Sequence, residues 1–166
     1  MHDRPAPCAL EHTPTSDLAR ADRTAALLGA ARSILPHLEA GRRVDATLLR
    51  EAMEASFNAS DAAGAWDWKL AYDACEAATV LFLRKYGNAL LHKAGSAADA
   101  LPLIAKVAGL LPTHSRRTMD SETFQQFSTP IPLGLIAATA AAILPSDRVL
   151  EPSAGTGLLA ILSEIA

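Results

Sequence analysis

Long apolar runs, a disulfide framework and a strong net charge are all missing from this 166-residue sequence. No run of about 18 apolar residues occurs, which argues against a membrane-spanning helix, and the first residues lack the apolar core of a signal peptide. The two cysteines, Cys8 and Cys75, make no disulfide framework, and no Cys/His spacing suggests zinc. A net charge of −3 gives no support for a nucleic-acid surface over the whole chain. We therefore expect a cytoplasmic protein without a membrane segment.

Half of the residues are hydrophobic, but much of that half is alanine, and the length suits one domain with a core. Three prolines among the first fifteen residues discourage a helix, so residues 1–15 are expected to form a flexible tail. From Ser16 onward apolar residues recur at steps of three and four, which predicts an amphipathic helix. Pro36 is expected to kink or end this helix.

Capping residues and apolar periodicity predict three more helices. Asp45 is suited to cap the second, and the third is expected over about residues 62–91. Ser96 opens a fourth helix with a start like a capping box, in which Asp replaces Glu. This helix should run to Leu111, and Pro102 inside it should bend it or move its start.

The composition changes after the fourth helix. Residues 16–111 are predicted to form an alanine-rich helical bundle, and residues 112–120 a linker. Residues from 121 to 166 have the pattern of the opening of an α/β domain. The fold class that we expect is therefore mainly α, with a helical bundle followed by helix, strand, glycine loop and helix.

Trp66 and Trp68 flank an aspartate, and this pair allows two interpretations. In the first, Trp66 anchors the core and Trp68 partly covers a neighbouring helix. In the second, the two rings form a stacking platform for a nucleobase. Nothing else in the sequence supports the second interpretation.

The most informative stretch is residues 148–162, which has the pattern strand, glycine loop, helix. Residues 148–150 suit a short buried strand, Glu151 ends it, and a good helix former follows from Leu158 onward. Pro152, Gly155 and Gly157 break regular structure between them. In open α/β sheets, ligands bind beyond the carboxyl ends of the strands.

Upstream of this stretch, Pro130 and Pro132 suit the front of a helix that should continue to Leu144. Pro145-Ser146-Asp147 is then a turn into the strand.

The two glycines of the loop would let it pass close beneath a ligand. A side chain at Gly155 or Gly157 would block that approach or require a backbone conformation that other residues avoid. A dinucleotide fingerprint needs a third small residue, and Ala160 stands at its position. Because the looser form of that fingerprint allows alanine, spacing alone does not exclude a nicotinamide or nucleotide cofactor.

Residues 151–157, Glu-Pro-Ser-Ala-Gly-Thr-Gly, resemble the S-adenosylmethionine-binding loop of Rossmann-like methyltransferases. The resemblance is to the DNA amino-methylating enzymes, whose loop runs acid-Pro-x-x-Gly-x-Gly. Residues 124–130, Phe-Gln-Gln-Phe-Ser-Thr-Pro, resemble the Gln-Phe-x-Thr-Pro segment that precedes this loop in the same family. The resemblance implies S-adenosyl-L-methionine as cofactor, bound by Phe127, Ser128, Thr129, Pro130, Glu151, Pro152, Ser153, Ala154, Gly155 and Gly157.

The resemblance also implies roles for single residues. Thr129 and Pro130 would line the methionine carboxylate, although both could simply start a helix. Glu151 would accept hydrogen bonds around the methionine ammonium, although it could instead cap N–H groups of its own loop. Phe127 and Ser128 are weaker candidates. No residue of the chain is assigned as catalytic, and no metal is required.

Three further segments, residues 62–69, 80–87 and 110–117, resemble the N-terminal region of large bacterial strawberry-notch-like proteins. Those proteins join a methyltransferase domain to a helicase domain, and the resemblance covers roughly residues 20–166. It implies DNA as substrate, and downstream methyltransferase and helicase regions as partners.

The enzymes that the loop resembles hold the target amine with an Asp/Asn-Pro-Pro-aromatic segment. This sequence contains no such segment and no second strand. We therefore expect the N-terminal part of a larger enzyme, which is inactive by itself. The alternative is a helical protein- or DNA-interaction module with a non-functional Rossmann remnant.

Overall fold

The computed structural model describes residues 14–112 and 129–166, which taken together are mainly helical. The helices are α1 Pro14–Glu39, α2 Ala46–Phe57, α3 Trp68–Ala94, α4 Ala97–Ala108, α5 Ile131–Ala140 and α6 Leu158–Ile165, with a short 3₁₀ helix at Asp61–Ala63. The expectation of a mainly α fold is confirmed.

Residues 1–13 of the expected tail and 113–120 of the expected linker lie outside the described ranges, so the division into two units stays a prediction. No helix in these ranges combines the length and the apolar character needed to cross a bilayer.

Side-chain caps fix the starts of three helices, two of which the sequence predicted. The Asp45 carboxylate accepts a hydrogen bond from the Leu48 N–H at 2.9 Å. The Ser96 hydroxyl accepts one from the Asp99 N–H at 3.1 Å and donates to the Asp99 carboxylate at 2.6 Å. Each cap satisfies an N–H group that has no partner within its own helix. These local contacts explain why both starts could be predicted from the sequence.

Helix α3 starts later than predicted, at Trp68 instead of residue 62. Gly64 has a left-handed φ of +74°, which ends the 3₁₀ helix before it. The Asp67 carboxylate then accepts a hydrogen bond from the Leu70 N–H at 2.7 Å, so this aspartate opens the helix.

Helix α1 begins earlier than predicted, and of the two outcomes expected at Pro36, a kink or an end, the helix does not end there. It begins at Pro14, inside the expected tail, where a proline in the first turn loses no hydrogen bond. It continues through Pro36 to Glu39, although an interior proline costs a hydrogen bond. Leu38, beyond the proline, is buried, and the Glu39 carboxylate accepts hydrogen bonds from Lys85 Nζ at 2.8 Å and Tyr86 Oη at 3.1 Å. These tertiary contacts offset the loss at Pro36.

Two other helices end earlier than predicted. Helix α4 ends at Ala108 instead of Leu111, and its start at Ala97 is not displaced by Pro102. Helix α5 ends at Ala140 instead of Leu144, and Ala142 follows with a positive φ of 50°. The turn at residues 145–147 is present, since the Asp147 N–H donates to the Leu144 carbonyl at 2.9 Å.

Helix α3 is the centre of the fold and packs against α1, α2, α4 and α6. Its buried positions are mostly small or apolar: Ala71, Tyr72, Ala74, Cys75, Ala77, Ala78, Thr79, Val80, Phe82, Leu83 and Gly87. The small residues let neighbouring helices approach closely, which increases the number of dispersion contacts between them.

The two C-terminal helices share this core. On α6, Leu158, Ile161, Leu162 and Ile165 are buried in the same cluster as the side chains of α3. A Cβ atom on Gly87 would lie 2.6 Å from Ile165 Cδ1, so the missing side chain of Gly87 makes room for the end of α6. Residues that the sequence placed in two units therefore bury their apolar side chains together.

The predicted strand at residues 148–150 is wrong: no strand is present in the described ranges, and these residues are exposed instead of buried. Val149 is 54% exposed and Leu150 is 86% exposed. A strand requires a neighbour to satisfy its N–H and C=O groups, and the described residues provide none. Together with Leu133, Ile136 and Leu144, these side chains make up most of the exposed large apolar residues of the described ranges.

Candidate cofactor-binding loop

The loop of residues 151–157 owes its shape to two glycines. Gly155 has φ +52° and Gly157 has φ +89°, both in the left-handed region that disfavours side chains. The Gly157 N–H donates to the Ala154 carbonyl at 2.6 Å and closes the turn. A Cβ atom on Gly157 would meet nothing within 4 Å, so the space above this residue is open. The glycines are therefore required here by backbone conformation and not by crowding.

Glu151 makes a hydrogen bond within its own loop. Its Oε1 accepts from the Ser153 N–H at 2.8 Å. Of the two roles that the sequence allowed, capping the loop's own N–H groups is the one that this contact supports. The carboxylate thereby stabilises the turn that begins the loop.

Thr129 and Pro130 lie, exposed, directly before α5. Pro130 is the N-cap residue of this helix, and its carbonyl accepts a hydrogen bond from the Gly134 N–H at 3.1 Å. The expectation that Pro130 starts a helix is confirmed. Phe127 and Ser128, the other two residues before α5 that were predicted to bind the cofactor, lie outside the described ranges.

The two predicted segments precede helices whose first turns touch. A Cβ atom on Gly134 would lie 2.5 Å from Leu162 Cδ1 and 3.1 Å from Leu159 Cδ2. Gly134 belongs to the start of α5, and Leu159 to the start of α6. At the opposite ends of the two helices, Thr139 of α5 and Ile165 of α6 line one cavity. The Thr129–Pro130 end of α5 therefore lies at the same end of the helix pair as the glycine loop.

Most of the loop is exposed to solvent. Pro152, Ser153, Ala154 and Gly155 are exposed, whereas Leu158, directly after the loop, is buried. Gly157 is the N-cap residue of α6, so no side chain caps the first N–H groups of this helix. A helix start of this kind offers N–H donors and a partial positive charge.

A residue of the helical bundle reaches this loop. The Thr156 hydroxyl donates to the Glu76 carboxylate of α3 at 2.9 Å, across 80 residues of sequence. Sequence reasoning missed Glu76 because no local pattern joins two residues so far apart. The one signal was that Glu76 is charged in an otherwise small and apolar stretch of α3.

Cys75, the neighbour of Glu76, is held in its thiol form. Burial, and then the negative charge of Glu76, raise its pKa from 9.0 to about 12. A nucleophilic cysteine requires the thiolate, so this residue is structural.

Within the described residues, no group of three His, Cys, Asp or Glu side chains could hold a metal ion.

Two cavities of the described part of the protein lie away from the predicted site. One, of about 210 Å³, lies among Leu91, Ser96, Leu135, Thr139 and Ile165, and the other, of about 320 Å³, is lined by Arg23, Thr24, Leu27 and Leu70. Neither contains a residue that the sequence predicted to bind the cofactor.

The tryptophan pair belongs to the core and its edge. Trp66 is 2% exposed, and its indole N–H donates to the Ala59 carbonyl at 2.9 Å, which confirms it as a core anchor. The Arg50 guanidinium lies 5.3 Å from the ring centroid of Trp68, over that ring. Trp66 has no face available for a nucleobase, and the ring of Trp68 is partly covered.

The chain matches no known protein family, no curated protein and no solved structure.

Proposed function

We propose that residues 151–157 are the S-adenosylmethionine-binding loop of a methyltransferase and that Thr129 and Pro130 lie on its methionine side. The observation that carries this proposal is the pair of left-handed glycines, Gly155 and Gly157, in an open loop at the start of α6. The acid-Pro-x-x-Gly-x-Gly pattern requires glycine at these two positions. The touching first turns of α5 and α6 support the association of the two segments.

The residues of the proposed site would contribute in different ways. Gly155 and Gly157 let the backbone approach the cofactor, and the first N–H groups of α6 donate to its polar atoms. Thr129 offers a hydroxyl to the methionine carboxylate. Glu151 holds the turn through the Ser153 N–H. The cofactor supplies an electrophilic methyl group on a sulfonium, and positioning of the acceptor amine in line with it does most of the catalytic work.

The acceptor that we propose is an exocyclic amine of DNA, of the adenine-N6 type. This choice depends on the resemblance of the loop and of residues 124–130 to DNA amino-methyltransferases. A methyltransferase must also hold the target amine and provide a base that removes its proton. We assign these two roles to residues outside this chain, so the chain by itself would transfer no methyl group. Downstream methyltransferase and helicase regions and a cytoplasmic location belong to the same proposal.

The exposed apolar side chains support the Rossmann-like part of the proposal. Leu133 and Ile136 on α5 are 56% and 47% exposed, and Leu150 before the loop is 86% exposed. A parallel sheet buries both of its faces. In the proposed methyltransferase domain, a sheet formed by other segments would cover these side chains.

We expect Gly157→Asp to weaken S-adenosylmethionine binding by more than about tenfold, or 1.4 kcal/mol. The substitution puts a charged side chain into the open space above the loop and disfavours the φ of +89°. Isothermal calorimetry of the 166-residue chain with S-adenosylmethionine measures the effect.

Gly41→Asp is the matched control, because Gly41 also has a positive φ, +63°, and open space around it, but lies in the turn after α1. Binding should be unchanged in this variant. A parallel titration with NAD tests the nicotinamide alternative. Tight NAD binding without S-adenosylmethionine binding would overturn the proposal, and binding of neither would favour the interaction module with a non-functional remnant.

A further inference from the structure

The glycine loop is joined to the helical bundle by a hydrogen bond between Thr156 and Glu76. The Thr156 Oγ1 donates to Glu76 Oε2 at 2.9 Å, and the contact is partly buried. Bonds from a hydroxyl to a carboxylate are stronger than those between neutral groups, and partial burial reduces their screening by salt. This contact is therefore suited to hold a segment in place.

Thr156 stands between the two glycines that shape the loop. It lies between Gly155 and Gly157, which both have left-handed φ values, and directly before the N-cap of α6. Glycines widen the range of conformations that a free loop can sample. A tether on the residue between them restricts both glycines together.

Glu76 itself is held firmly on α3. Its sequence neighbours Cys75 and Ala77 are 3% and 7% exposed, so this part of the helix lies against the core. The Glu76 carboxylate therefore extends from a backbone that is fixed by packing. Its hydrogen bond holds Thr156 at a defined position relative to α3.

We propose that Glu76 is a positioning residue for the cofactor-binding loop, acting through Thr156. The helical bundle would thereby order the loop before the cofactor arrives. Ordering a segment in advance lowers the entropy cost of binding, so loss of the tether should weaken binding without removing any group that touches the ligand. The consequence for the cofactor depends on the proposed function, whereas the ordering of the loop does not.

The amide of Gly157 is the probe of loop order, because its N–H is bonded to Ala154 within the loop. In the 166-residue chain without ligand, Glu76→Ala and Thr156→Val should each speed hydrogen exchange of this amide by about tenfold. Glu76→Gln keeps an acceptor and Thr156→Ser keeps the hydroxyl, so both should stay within about threefold of the unsubstituted chain. Glu51→Ala, on the exposed face of α2, is the control for loss of a carboxylate.

Calorimetry with S-adenosylmethionine then measures the effect on binding. Both disruptive variants should raise Kd by about three- to tenfold. The double variant should be no weaker than Glu76→Ala alone, because either substitution already removes the contact between the two residues. The conservative variants should restore the affinity.

Two exchange results would overturn the inference. One is unchanged exchange of Gly157 in Thr156→Val, and the other is parallel acceleration of core amides such as Leu83, which indicates general destabilisation. If the exchange results are as expected but the unsubstituted chain binds no S-adenosylmethionine, Glu76 positions the loop and the proposed cofactor is wrong. If the cofactor binds but the variants bind it equally well, the loop needs no tether and the inference fails.

Discussion

Leu162→Ala is expected to lower the free energy of unfolding by about 2 to 5 kcal/mol, the usual cost of removing a large side chain from a core. Leu162 is 0% exposed, and it lies on the last helix, close to Gly134 of α5. The substitution would remove apolar contacts and leave a cavity between the two helices. Because α6 also packs on α3, the loss should appear in the unfolding of the whole core.

Leu150→Ala is the matched control for this prediction. The same atoms are removed, but Leu150 is 86% exposed, so the change should stay within about 0.5 kcal/mol. Urea unfolding followed by fluorescence of the buried Trp66 and its neighbour Trp68 measures both variants. Equal stabilities for the two would show that α6 does not contribute to the common core.

Cys75 in the native protein is expected to react with an aromatic disulfide reagent at least about a hundredfold more slowly than in the denatured chain. Its pKa of about 12 leaves about a thousandfold less thiolate at pH 8 than the ordinary value of 9.0. The higher nucleophilicity of a more basic thiolate recovers about 15- to 30-fold. Burial at 3% exposure then restricts the reagent to transiently open states.

Stopped-flow measurements on a Cys8→Ser variant isolate this thiol, with the same variant in guanidinium as the reference. Rates within tenfold of each other would contradict the buried, protonated state of Cys75.

The raised pKa of Cys75 also predicts a dependence of stability on pH. Between pH 9 and about 12 the thiol ionises in the unfolded chain but stays protonated in the folded one. The unfolded state then binds fewer protons, so the contribution of Cys75 to stability is complete below pH 9 and falls by about 1.4 kcal/mol per pH unit above it. Unfolding of Cys75→Ala at each pH supplies the comparison, and parallel curves for the two proteins would contradict the prediction.

The sequence by itself determined the features that depend on neighbouring residues. Asp45 and Ser96 cap their helices because a cap requires only an N–H group three residues away. Gly155 and Gly157 adopt left-handed conformations, which is one of the two reasons for glycine that the pattern allowed. The mainly α fold class follows from the same local periodicity.

Local signals failed where they competed with one another or with distant contacts. Gly64 and Asp67 together moved the start of α3, although the apolar pattern begins earlier. Helix α1 passes through Pro36 because Leu38 and Glu39 gain contacts with distant residues. Neither effect can be weighed from composition, since each depends on which residues become neighbours in the folded chain.

Only the tertiary structure decided what surrounds the glycine loop. Residues 148–150 have the composition of a strand, but a strand exists only where a partner pairs with its backbone. Gly87 and Gly134 matter because Ile165 and Leu162 occupy the space that their side chains would fill. Glu76 meets Thr156 across 80 residues because α6 packs on α3. The turn at the two glycines could be predicted from the sequence because its hydrogen bonds are local. The contact of the loop with Glu76 depends on helix packing, which no local pattern encodes.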